Sequence, residues 1–587
     1  MSARRTPVAR LRAGRVVALV AAAVLLAGCV RMPTSGPVEE PQATTGDDDV
    51  PGISFDPRPP QAGDPVADIV EGFLEAMKAA PVSKSVARQF LSRDAAESWA
   101  PEQQIITYAE IGDATTGTTM RLPMSDVNRY DARGAWLRTQ GGAQLTVGLV
   151  QEDGEWRIDE VPDALVVPDT WFDDWFQRAS LYYFDPASEV LVPEPVFVPR
   201  GDQFASSLVR GLVTPLPPES VDVVRTYFPA GTSQGLSVPI VSGIASVDLS
   251  GDPDAVDGET ADRMLAQLVW TLRQDLDINA VQLSIGGRPF SFQGGSTQVK
   301  LGGVGADYDP DGVPAITNLF ALDEGLVVTG AVGGLEPTLG PFGQDDYGLR
   351  SIGVNIAGDR VAGVSATGSD LLVAPTQSPT GEVATYSVGV DLAAPGWDHR
   401  DRIWTLDRGN GSARVILVVD GAPVEVQVPG ISSRRVTQML VSRDGTRLVA
   451  VVRGRTGDQV VSTRIRHDAA GVVVGFTQVR TLPLPDEART RIRDIGWRSS
   501  TTVSVLSDIA AGSQVRTVSV DGAPGEIATD GTTRLRGPNR ALVSGPVDRP
   551  VDTEVYALAG RAVTSLTRPE RTVPDLPKGL TSLTYVG

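Results

Sequence analysis

Few side chains in this sequence are equipped for covalent or metal chemistry. Cys29 is the only cysteine, and His399 and His467 are the only histidines, in 587 residues. That excludes a zinc site of cysteines and histidines and leaves a histidine-based triad few options. Gly231-Thr232-Ser233-Gln234-Gly235 has the G-x-S-x-G pattern of a nucleophile elbow, which needs a strand before it and a helix after it. Phe228-Pro229-Ala230 and Leu236-Ser237-Val238-Pro239 supply neither, so the segment reads as a turn. Asp307-Tyr308-Asp309-Pro310-Asp311-Gly312 matches the start of a calcium loop, with carboxylates at alternate positions around one ion. Its twelfth position is Asn318 instead of glutamate, and Pro310 stiffens its middle, which favours a solvated acidic linker. No catalytic residue, metal ligand or cofactor is expected.

Cys29 has a more specific setting. Arg4, Arg5, Arg10, Arg12 and Arg15 precede an apolar run from Val16 to Leu26, followed by Ala27 and Gly28. A basic head, a short apolar stretch and small residues at a cut site are the layout of a secretory signal. The run is too short for an ordinary spanning helix of about 20 residues. Leu26-Ala27-Gly28-Cys29 resembles the lipobox of bacterial lipoproteins. The resemblance implies cleavage before Cys29, S-diacylglycerol and N-palmitoyl groups on it, and anchoring at roughly 0.8 kcal/mol per buried CH₂. The alternative is a buried, inert cysteine after an unrelated apolar segment.

The formal charge is −20, and loss of the five arginines before Cys29 takes it to about −25. Such a chain repels phosphate backbones, so nucleic acid is not an expected partner. It also repels anionic lipid heads, so lipid chains must supply most of the membrane affinity. With its one thiol acylated the chain has no internal disulfide and relies on its cores.

The elements that position these residues fall into modules. Residues 1–28 are the signal peptide and 29–64 a disordered tether rich in Pro, Gly, Thr and Asp. Residues 65–180 read as an α+β domain. Asp64 caps a helix starting at Pro65, with Val66, Ile69, Val70, Phe73, Leu74 and Met77 on one stripe. A second helix runs from Val82 to Leu91. Strands follow at 105–108, 135–139, 145–150 and 155–158, reversed at Gly141-Gly142 and Asp153-Gly154, with Trp156 inward beside Ile158. Residues 181–305 are a second α+β unit. Its strands are 181–184 and 191–198, its helices 204–213 and 259–276. Ile244, Val247 and Leu249 alternate on one later strand, and Val281, Leu283 and Ile285 on another.

From residue 312 to 587 short β-rich runs alternate with Asp-Gly, Gly-Asp and Ser-Gly turns. Gly358-Asp359-Arg360-Val361-Ala362-Gly363-Val364 resembles Asp444-Gly445-Thr446-Arg447-Leu448-Val449-Ala450-Val451. Anchors at 360, 404, 447, 497 and 542 recur every 45 residues or so, the period of four-stranded propeller blades, and about six blades fit. A pair of β-sandwiches is the alternative. The fold class is therefore multidomain: two small α+β domains followed by an all-β propeller.

Three stretches carry a family resemblance: Cys29-Val30-Arg31-Met32-Pro33-Thr34-Ser35-Gly36-Pro37; Leu181-Tyr182-Tyr183-Phe184-Asp185-Pro186 to Leu191-Val192-Pro193; and Val247-Asp248-Leu249-Ser250 through Gln267-Leu268-Val269-Trp270-Thr271-Leu272. Together the chain resembles the actinobacterial LpqB lipoproteins, with a GerMN unit at 181–305 and the family's β-propeller after it. The resemblance implies a non-enzymatic accessory lipoprotein on the extracytoplasmic face of the cell membrane. Its implied partner is the external domain of an MtrB-like sensor kinase in an MtrAB-like two-component system, with effects on envelope homeostasis and division. The alternative is an envelope scaffold or a glycan-binding propeller, for which exposed aromatics such as Trp397 or Trp404 would have to line a cleft.

Overall fold

The computed structural model describes residues 55–113, 115, 117–290, 296–309, 318–484, 490–524, 532–545, 555–568 and 570–587. The signal segment, Cys29 and the tether to residue 54 lie outside them, as does Asp311. Order begins before Asp64. Phe55 pairs with Ala80 through two 3.0 Å backbone bonds, and Gly63 N donates to Glu155 at 2.8 Å.

In the first domain the helix Val66–Met77 buries Ile69, Val70, Phe73, Ala76 and Met77 against a sheet. Asp64 does not cap it; its carboxylate accepts from Gln61 N at 2.7 Å, and Pro65 holds the start. The expected helix over 82–91 is only the 3₁₀ turn Ala87–Phe90. A separate helix, Arg93–Ser98, starts at Ser92, whose hydroxyl accepts from Ala95 N. A serine cap fixes a helix start, which divides the segment there.

The sheet order is Glu155–Glu160, Trp136–Glu152, Thr119–Asp131, Gln104–Tyr108 and Leu165–Pro168, the last pair parallel. Gly141-Gly142 does not reverse the chain: Trp136–Glu152 passes through it as one strand, opposite a kink at Asp126 with φ 47°. The reversal lies at Asp131–Gly134. There the Asp131 carboxylate accepts from Arg133 N and Ala135 N, both at 2.9 Å, and pairs with the Arg133 guanidinium at 2.7 Å. Asp153-Gly154 does turn a hairpin, with both residues at positive φ. Ile158 is buried and Trp156 half-buried against the same core.

The middle domain begins with the hairpin Phe176–Phe184 and Leu191–Pro199, closed by Asp185, whose carboxylate accepts from Ala187, Glu189 and Val190 N–H groups. Helices Phe204–Val213 and Gly258–Leu272 pack on a sheet whose central strands, Ile244–Leu249 and Ala280–Ile285, run parallel. Asp257 caps the second helix through Thr260 N at 2.8 Å. That helix stops at Leu272, short of the expected 276, where Asp275 turns the chain by accepting from Asp277 N; Leu276 is exposed. On Ile244–Leu249 the inward set is Ala245, Val247 and Leu249, with Ile244 only half-buried.

Beyond residue 318 the described strands form six antiparallel sheets in sequence order, which is a six-bladed propeller. The C-terminal strand Thr581–Thr584 pairs with Leu319–Asp323 of the first blade, so the two ends of the domain close the ring. Arg360, Trp404 and Arg447 all sit on the second strand of a blade, but Trp497 and Leu542 fall on a first strand. Trp397 and Trp404 lie in successive apolar clusters between blades and are 0% and 1% exposed. They are core residues and offer no sugar-stacking platform.

Candidate functional site

Antiparallel strands put the turns from first to second and from third to fourth strand on one face of the ring. The other turns and the crossings between blades fall on the opposite face. The middle domain covers the first of these faces. Its hairpin places Glu194 between two propeller arginines, Arg447 at 3.0 Å and Arg464 at 2.7 Å, and Arg447 also donates to Pro193 O at 2.7 Å. The Arg447 side chain is 2% exposed. Burial and the neighbouring Arg447 push the Arg464 guanidinium down to about 10, with Glu194 and Asp444 opposing. Burial also works against the charge of Asp444, yet Arg447 and the Ser442 and Thr446 hydroxyls hold its carboxyl below the usual range.

A second network lies beside the first. Asp398 accepts from Arg402 Nε at 2.7 Å and Trp404 Nε1 at 2.8 Å, and Arg402 donates to Gly471 O and to His467 Nε2 at 3.2 Å. A guanidinium can only donate, so Nε2 accepts and the imidazole is neutral. Burial and then Arg402 lower His467 to about 4, consistent with that tautomer. His467 N donates to Asp222 O of the middle domain at 2.7 Å, and Arg400 pairs with Glu189 at 2.7 Å. The first domain is tied in through Phe197 N to Gly134 O, and Arg178 of the middle domain's hairpin donates to the Ala523 and Pro524 carbonyls of the propeller. Three modules thus form one body.

The opposite face of the propeller is uncovered among the described residues. Arg408, Arg434, Arg435, Arg453, Arg455 and Arg491 surround an open basin of about 770 Å³. Asp391 pairs with Arg408, and Asp458 with Arg453 and Arg491. Arg434, Arg435 and Arg455 are exposed and make no ion pair or side-chain hydrogen bond among the described residues. A cationic basin on so acidic a chain is a local reversal of the field.

The residues picked out for chemistry are not brought together. Ser233 follows the turn at Ala230-Gly231 in an extended segment that pairs with Asp248–Ser250, its hydroxyl 2.9 Å from that of Ser250, while both histidines are in the propeller. Asp307 lies in the short turn Ala306–Tyr308, which is held to the middle domain by Tyr308 against Phe184, ring centroids 4.8 Å apart. Among the described residues no group of three or more His, Cys, Asp or Glu side chains could hold a metal ion. The interdomain arginines escaped the sequence reading. Arg360 and Arg447 were visible as repeat anchors, and an arginine repeated beside an Asp-containing blade turn was the available signal.

Family models match in the same order as the modules. The model described as "Lipoprotein LpqB, N-terminal domain" matches residues 59–173, "Sporulation and spore germination" matches 180–291, and "Lipoprotein LpqB beta-propeller domain" matches 325–565. The chain belongs to the LpqB lipoprotein family. Proteins named Lipoprotein LpqB are similar to it along almost their whole length. That of Thermobifida fusca is 27% identical over 95% of this chain and 99% of its own. That of Streptomyces coelicolor is 28% identical over 90% and 91%. Among solved structures, the first GerMN domain of the sporulation protein GerM from Bacillus subtilis is 23% identical over 21% of this chain and 94% of its own, with a TM-score of 0.18. Family membership makes the chain a membrane-anchored lipoprotein with a propeller domain, and none of the matched models names a catalytic family. No described helix is long and apolar enough to cross a membrane.

Proposed function

We propose that the chain is an extracytoplasmic accessory lipoprotein, held to the cell membrane by diacylglycerol and palmitate on Cys29, that docks on a sensor kinase. The partner is the external domain of an MtrB-like kinase, whose two-component signalling it adjusts in envelope homeostasis and division. The arginine basin carries this reading: a chain of charge −20 sets six guanidiniums on the one propeller face that its described domains leave open. Such a surface fits an acidic protein face, and long-range attraction would speed the encounter. The anchor confines both partners to one membrane, which raises their effective concentration. The test is titration of the kinase's external domain with the full chain and with an Arg434→Glu/Arg435→Glu/Arg455→Glu variant. Binding by the parent, weakened at least tenfold in the variant and by added salt, is expected. No binding at tens of micromolar would remove the proposal.

A further inference from the structure

A second concavity lies where all three modules meet, on the covered side of the propeller and away from the arginine basin. It encloses about 450 Å³, within the range of small-molecule sites. Five arginines line it: Arg133 from the first domain and Arg447, Arg464, Arg466 and Arg480 from the propeller.

The carboxylates around it are already engaged or lie at its rim. Asp131 occupies Arg133, and the single carboxylate of Glu194 is shared between Arg447 and Arg464. Arg447 Nη1 has only a 3.5 Å contact with Asp444. The carboxylate of Asp521 already accepts from Ser519 Oγ at 2.6 Å and Ala523 N at 3.0 Å. Glu219 is exposed at the rim.

Three guanidinium nitrogens, Arg447 Nη1, Arg464 Nη2 and Arg466 Nε, are therefore buried without a hydrogen-bond partner among the described residues. Buried donors left unmade are costly, and charged ones more so. Burial, and then the neighbouring Arg447, also lower the Arg464 guanidinium beside this wall. The remaining wall is apolar. Trp136 lies under the Arg480 guanidinium at 6.0 Å, with Pro195, Val223 and Val479 beside it.

We propose that this cleft binds a small organic oxyanion, a carboxylate or phosphate monoester. Its charged end takes the spare N–H groups of Arg464 and Arg466, and its flat or apolar body lies against Trp136. A ligand there touches all three modules at once and so tightens their association; this holds whether or not the chain binds a kinase.

The probe is phenyl phosphate, titrated calorimetrically into the full chain in neutral detergent, with benzoate, inorganic phosphate and phenol as companions. Phenyl phosphate or benzoate is expected to bind below about 1 mM, with phenol and inorganic phosphate at least tenfold weaker. Arg466→Gln removes a side chain with no described partner. It should weaken the tighter anion about tenfold or more, as should Arg480→Gln, with unfolding temperatures near the parent's. Arg288→Gln, exposed on the middle domain and outside both concavities, should leave the affinity for these anions unchanged. Absence of heat for both organic anions at several millimolar overturns the site, as does unchanged affinity in both folded cleft variants or an equal loss in Arg288→Gln. Inorganic phosphate binding as tightly as phenyl phosphate overturns the assignment of an organic ligand.

Discussion

Glu194→Gln is the perturbation that most sharply probes how the middle domain is held on the propeller. The substitution keeps the shape and removes one negative charge from between Arg447 and Arg464, the first with a side chain only 2% exposed. The amide oxygen can still accept one hydrogen bond, but two guanidiniums then face each other with Asp444 as their nearest counter-charge. Removing one partner from a buried ionic group costs about 3–5 kcal/mol, because the remaining charge stays desolvated. With Glu194 18% exposed and Arg464 21%, solvent relieves part of this, so about 3 kcal/mol is expected. Since 1.36 kcal/mol is tenfold, opening of the interface should become about two orders of magnitude more frequent. Amide hydrogen exchange read on peptides spanning 191–199 and 460–467 measures that opening locally, where a whole-chain melt would mix several modules. Glu189→Gln is the comparison: its pair with Arg400 has side chains 51% and 23% exposed and should contribute at most about 1 kcal/mol. If both substitutions changed protection equally, or neither did, the buried triad would not be what holds the domains together.

His467 is neutral in the fold, lowered to about 4 from 6.5 by burial and then by Arg402 and His399, with Asp398 and Asp185 opposing. The unfolded chain then binds more protons between those values, so this group's contribution is complete above pH 6.5 and is lost as pH falls toward 4, by up to about 3 kcal/mol. Its ring proton shifts should stay constant from pH 7.5 to 5.5; a midpoint near 6.5 would contradict the network. Gly134→Ala puts a Cβ 2.1 Å from Phe197 O at φ +85°, and should lower the unfolding temperature of the first domain or abolish its docking. Truncation after residue 580 removes the strand that closes the first blade and the Val586 carbonyl that accepts from Arg443 at 2.7 Å. Loss of near-ultraviolet circular dichroism is the expected readout. Cys29→Ser should abolish labelling by a palmitate analogue and move the chain from the membrane fraction to the soluble one.

Hydrophobic period made most of the architecture legible. Met264, Leu265, Leu268, Val269 and Leu272 share the buried side of their helix, and Val281, Leu283 and Ile285 that of their strand. The blade period was readable because two blades repeat one turn, 355–359 in the second and 442–446 in the fourth. What failed was local competition between signals. Met120, Leu122 and Met124 alternate perfectly, yet Pro123 hid the strand they form. Gly141-Gly142 has the composition of a turn, and only its pairing with a kinked neighbour makes it strand. The interdomain site was illegible for another reason: Glu194 and Arg464 are 270 residues apart and look like ordinary surface charge until the fold brings them together.

Which surface of the chain meets a neighbour in the envelope decides the proposed function. A photo-crosslinking residue placed in cells at position 434, 435 or 455 in the basin, with one at the exposed Leu276 of the middle domain as reference, reads this directly. Adducts with the sensor kinase from the basin positions, and none from 276, are predicted. Kinase adducts absent from the basin, or arising equally from 276, would contradict the assignment of that face.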